Sequence, residues 1–149
     1  TRVKDAAVGT RREFAAWLSA LSLAGLARPL KADEGAEEAA AAAARKWLDL
    51  VDQGNYPCGW DAAAPAFKRM MTREQWDRAV HSVREPLGPC LSRTLKSRQL
   101  VDSFPGGPSG PYVVLRFETS FENKRAAVET VTPTRGQDES WRVAGYYIS

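Results

Sequence analysis

The chain is patterned in two halves. Between residues 36 and 90 apolar positions recur every three to four residues, and from about residue 91 onward they alternate every two. The first half therefore predicts helices. One over 36–52 has a high-propensity alanine run from Ala39 to Ala44, and Trp47, Leu48, Leu50 and Val51 fall on one arc opposite Arg45, Asp49 and Asp52. Gly54 supplies its stop. Residues 55–60 read as a loop, after which Asp61 is expected to cap a short helix reaching Met71, with Pro65 in its first turn. Thr72-Arg73-Glu74-Gln75 has the form of a capping box, with Met71 and Trp76 placed for a hydrophobic staple. This third helix carries a stripe of Trp76, Ala79, Val80 and Val83 and is expected to end at Pro86, Gly88 and Pro89.

The alternating half predicts strands over 91–101, 112–121, 126–132 and 141–148, with a Pro- and Gly-rich link over 104–111. On the second, Val113, Leu115, Phe117, Thr119 and Phe121 share a face opposite Arg116 and Glu118. Helices followed by a run of strands imply an α+β domain: three N-terminal helices on one face of a four-stranded antiparallel sheet.

Residues 1–32 have a different character. Thr10-Arg11-Arg12-Glu13-Phe14 precedes 13 uncharged, mostly apolar residues, Ala15 to Ala27, too few for a membrane span of about 20. This is the layout of an export signal, and Arg11, Arg12 and Phe14 resemble the twin-arginine consensus, although Ala15 stands where that consensus usually has Leu. The expectation is a removable segment over 1–32, cleaved after Ala27 or Ala32, and one domain over 33–149. An amphipathic N-terminal helix of the fold is the alternative. Export makes the twin-arginine translocase and signal peptidase the expected partners in transit, and a periplasmic or secreted location with no stable membrane span after cleavage.

Charge follows the same division. Residues 1–32 hold six basic and two acidic side chains, whereas 33–149 hold 15 basic and 16 acidic ones. The pI of 9.0 thus belongs to the leader, and the domain lacks the basic field that nucleic acid requires. No metal or cofactor is expected: the single His81 and two distant cysteines give no zinc spacing, and no phosphate loop, dinucleotide fingerprint or nucleophile elbow occurs. His81, with Asp77 and Glu85 a turn away, reads as a solvated surface residue.

Specific residues then point to a family. Trp47-Leu48-x-Leu50-Val51-Asp52-x-Gly54-x-Tyr56, Trp60-Asp61 with Phe67-Lys68, Pro86-Leu87-Gly88 with Ser92-Arg93, and Pro105-Gly106 belong to one pattern. So do Thr119-Ser120-Phe121-x-Asn123-Lys124, Val128-Glu129-Thr130-Val131-Thr132 and Trp141-Arg142-Val143-Ala144-Gly145-Tyr146-Tyr147. Together they resemble the bacterial domain of unknown function 4019 across nearly all of 45–149. The resemblance implies a cone similar to the cystatin-like and nuclear-transport-factor-like folds, often exported and without an established activity.

Arg93 and Glu129 each interrupt an otherwise regular strand. One reading makes them an outward cross-strand ion pair. The other, by analogy with ligand-holding cones, sets them with Trp60 and Tyr146 or Tyr147 at the mouth of a pocket. The expected function is a non-catalytic module binding a small ligand or another envelope protein. The alternative is a small acid–base enzyme of isomerase or hydratase type, with a carboxylate beside a tyrosine as base. Cys58 and Cys90 lie outside the family pattern. In an oxidising compartment they are expected to form a disulfide, the alternative being two separate small side chains.

Overall fold

The computed structural model describes residues 33–103 and 107–149. The proposed export residues Arg11, Arg12 and Phe14, and Pro105-Gly106 of the family pattern, lie outside the described residues. Among the described residues four helices precede four strands: α1 (Glu34–Asp52), α2 (Tyr56–Asp61), α3 (Pro65–Met70), α4 (Arg73–Leu87), β1 (Cys90–Val101), β2 (Tyr112–Phe121), β3 (Lys124–Arg135) and β4 (Trp141–Ile148). The strands form one antiparallel meander in the order β1-β2-β3-β4.

Asp33 caps α1, its carboxylate accepting from the Ala36 amide at 3.1 Å. Ala40, Ala41 and Ala44 are fully buried, so the alanine run is the face by which α1 packs closely into the core. Gly54, at φ 73°, ends the helix: its amide and that of Asn55 donate to the carbonyls of Val51 and Leu50.

The expected second helix is shorter, and the stretch before it is a helix of its own. Residues 56–61 form α2 and not a loop, and Asp61 is its last residue rather than the cap of the next helix. The prolines explain the break. Pro65 within a continuous helix would remove a hydrogen bond and clash with the carbonyl four residues back. Ala64 therefore adopts an extended conformation and α3 restarts at Pro65.

The capping box of α4 forms in full: the Gln75 amide donates to Thr72 Oγ1 (3.2 Å), and the Thr72 amide donates to Gln75 Oε1 (2.8 Å). The helix continues through Pro86 to Leu87 and stops at Gly88, whose φ is 72°. The core holds α1, α2 and α4 together through indoles: Trp47 Nε1 donates to the Gly59 carbonyl and Trp76 Nε1 to that of Tyr56, both at 2.8 Å. Leu100, Val113, Leu115, Phe117, Val131, Val143 and Tyr146 are the sheet's contribution.

The strands are not regular. In the β1–β2 register Leu95 faces Phe117 and Ser97 faces Arg116, so Lys96 is an extra residue; Leu91 is another. Between Val143, opposite Pro133, and Tyr146, opposite Val131, β4 also carries an extra residue. Each bulge reverses the alternation beyond it. Arg93 and Arg98, five apart, consequently share the inner face with Leu95 and Leu100, opposite Thr119, Leu115, Phe117 and Val113 respectively.

Candidate functional site

Glu129 sits in the middle of the inner face, opposite Phe117 on β2 and Ile148 on β4, and is fully buried. An isolated carboxylate there would be strongly disfavoured. Arg93 answers it from β1: Nε donates to Oε2 and Nη2 to Oε1, both at 3.0 Å. The same guanidinium also meets Asp52, the last residue of α1, with Nη1 to Oδ2 at 2.7 Å and Nη2 to Oδ1 at 3.0 Å. Arg84 of α4 donates from Nη2 to Asp52 Oδ1 at 2.7 Å and from Nη1 to the Tyr146 hydroxyl at 3.3 Å.

The result is a chain of alternating charge, Arg84–Asp52–Arg93–Glu129, with Tyr146 beside it. It ties two helices to three strands. Its solvent edge is the Asp52–Arg93 pair, with side chains 24% and 13% exposed. Two acids and two guanidiniums leave it with no net charge.

Burial alone would raise the Asp52 carboxyl, but hydrogen bonds and charge from Arg93 and Arg84 hold it below its ordinary value. Burial pushes the deeper Glu129 up, and Arg93 offsets only part of that. Arg93 is nonetheless held firmly protonated, because its two carboxylates outweigh its burial. The Tyr146 phenol is raised far above its ordinary value by burial and by the charge of Glu129.

The arrangement corrects the reading of Arg93 and Glu129 as an outward pair: they do pair, but on the helix-covered face. Tyr146 joins them through Arg84. Trp60 is held elsewhere, its Nε1 donating to the Met71 carbonyl at 3.1 Å with Lys68 Nζ 5.2 Å from its ring. Tyr147 points to the other face, opposite Thr130. His81 is exposed on α4, with Nδ1 2.9 Å from the Asp77 carbonyl and its ring edge-on to Tyr56. Cys58 lies in α2 and Cys90 opens β1, so both occupy regular elements, and both are free thiols.

Two members of the chain were not singled out from sequence. Arg84 extends the stripe of α4, four residues beyond Val80 and eight beyond Trp76, whereas Asp52, expected on the polar arc of α1, lies at the helix end four beyond Leu48 and is drawn in by Arg84 and Arg93. For Arg84, a charge continuing an apolar stripe was the available signal. Among the described residues no group of three or more His, Cys, Asp or Glu could hold a metal ion, and no helix is long and apolar enough to cross a membrane.

No curated protein and no solved structure matches the chain. The family comparison does find a match: residues 43–146, more than half of the chain and all four members of the charge chain, fit the model described as protein of unknown function (DUF4019). A match of that extent, spanning α1 to β4, places this chain in the DUF4019 family.

Proposed function

We propose that the domain is a non-catalytic binding module exported to the bacterial envelope by the twin-arginine route. What supports this is the state of Glu129. A general base must have a free oxygen within reach of a substrate proton, and both Glu129 oxygens already accept from Arg93 with the side chain wholly out of water. The inner charges therefore serve the architecture, and recognition falls to the surface. Leu91, at a bulge of the edge strand β1, and Val128, opposite Glu118 on the outer sheet face, are the large apolar side chains left exposed among the described residues. Helices over one side of a bulged antiparallel meander also favour kinship with the cystatin-like and nuclear-transport-factor-like cones. Arg11, Arg12 and Phe14 before an apolar run favour export.

The test is site-directed photo-crosslinking of the full chain in its host. A photoreactive residue at Leu91 or Val128 is expected to give a discrete protein adduct that the same residue at exposed Glu74 does not. The captured partner, purified, should rebind the domain at least tenfold more weakly once Leu91→Asp and Val128→Asp are combined. Adducts that do not depend on position would sink the surface assignment. A turnover by purified protein that Glu129→Gln abolishes would establish the acid–base enzyme in its place.

A further inference from the structure

Two polar atoms beside the charge chain are buried without a hydrogen-bond partner among the described residues: Arg84 Nε and Thr119 Oγ1. Their residues are 5% and 2% exposed. Both belong to one neighbourhood. Thr119 lies directly across from Arg93 on the inner face, two residues before Phe121, and the Arg84 guanidinium lies over the Phe121 ring, its carbon 4.9 Å from the centroid. The Nη atoms of Arg84 are engaged by Tyr146 and Asp52, which leaves its Nε–H as an unused charged donor. The threonine hydroxyl is a donor that rotates to suit its partner.

Buried donors of this kind are nearly always satisfied. The Phe121 ring closes one side with an apolar wall, and the chain's own charges already balance, so nothing large or multiply charged is called for. We propose that Arg84 Nε and Thr119 Oγ1 together bind one small hydrogen-bond acceptor, the size of a water molecule or a halide ion, at the Phe121 end of the charge chain. The site is interior and independent of the surface reading above.

Thr119→Val preserves the shape of the side chain and removes only the hydroxyl. If Thr119 had no partner, its loss would leave stability unchanged or improved. With a shared acceptor, Thr119→Val is expected to lower Tm by about 5 °C. The Arg84 Nε–H signal in a 15N-edited NMR spectrum should be protected from exchange in the unaltered protein and should shift or lose protection in Thr119→Val. Thr119→Ser, which keeps the hydroxyl, should retain that protection. Replacing chloride by gluconate distinguishes the sources: a fall in Tm identifies a halide, no change identifies water. A Thr119→Val protein as stable as its parent, with the Arg84 signal unmoved, overturns the proposal. Should Thr119→Val fail to fold, rapid exchange of Arg84 Nε–H in the unaltered protein overturns it equally.

Discussion

With Arg93 removed, Glu129 would lose the donor that holds both its oxygens between Phe117 and Ile148, and Asp52 would keep only Arg84. Stranding a buried charge typically costs about 3–5 kcal/mol, more than such a pair contributes over an apolar equivalent. Arg93→Met is therefore expected to lose about that much in urea unfolding, while Arg93→Met combined with Glu129→Leu recovers most of it. A double variant no more stable than the single one would show that the arginine's packing, not its charge, was lost. The two acids should also respond to pH with opposite sign. Glu129 has a raised carboxyl in the fold, so its ionisation works against the folded state at neutral pH, and that penalty is relieved as pH falls toward the ordinary glutamate range. Asp52 is held low, so its contribution is complete above roughly pH 4 and is lost as pH falls through its lowered value. The melting temperature should thus hold or rise from pH 7 to 5 and drop below roughly pH 4, and Glu129→Gln should remove the rise. A steady decline from pH 7 downward would contradict the direction assigned to Glu129.

Trp76 shows how one α4 residue commits an element. It is 3% exposed, packs on Trp47 with ring centroids 5.5 Å apart, and holds the Tyr56 carbonyl. Trp76→Ala should cost about 3–5 kcal/mol by denaturant titration; a loss below about 1 kcal/mol would mean α4 packs by another face. Lys96 makes the complementary point in β1, because its backbone matters and its side chain does not. Its ion pair with Glu118 is exposed on both sides, so Lys96→Ala should cost well under about 1 kcal/mol. Deleting Lys96 would return β1 to strict alternation from Ser92 onward and turn either Arg93 or Arg98 outward, and the expected result is loss of cooperative unfolding. These bulges also explain what the sequence could not convey. Where alternation ran unbroken, as over 112–121, the expected strand and inner face were right in detail, and so was the capping box at Thr72. Reading Arg93 and Glu129 outward follows from charge alone, since a period of two does not say which face is covered, and the insertion at Lys96 that brings Arg98 to the same face depends on the register of the neighbouring strand. The division of 56–71 into two helices was legible in Pro57 and Pro65, each of which sits in the first turn of one of them.

For the molecule as a whole, the charge chain is the point where distant segments of sequence meet, joining residues from 52 to 146. No single stretch contains it, and although Arg93, Glu129 and Tyr146 can be grouped from sequence, the helix residues Asp52 and Arg84 that complete it are not marked there. The reading of residues 1–32 belongs to this scale as well. Intact mass of periplasmic material should give an N-terminus at Arg28 or Asp33, and Arg11→Lys with Arg12→Lys should block export. A chain recovered with Thr1 still attached would refute cleavage. One consequence follows from the irregular β1. The sheet has two outer strands. On β4 the Val143 carbonyl is taken by the Ala64 amide, whereas β1 is a 12-residue border with no strand beyond it among the described residues. A long flat border invites another copy to add its own strand, and growth by repetition of that step yields fibrils. The extra residues Leu91 and Lys96 break the spacing of β1's amides and carbonyls at two points, and a charged side chain stands at one of them. The bulges that turn Arg93 inward also deny its neighbours a straight template, so concentrated folded protein should stay monomeric and unaggregated in light scattering.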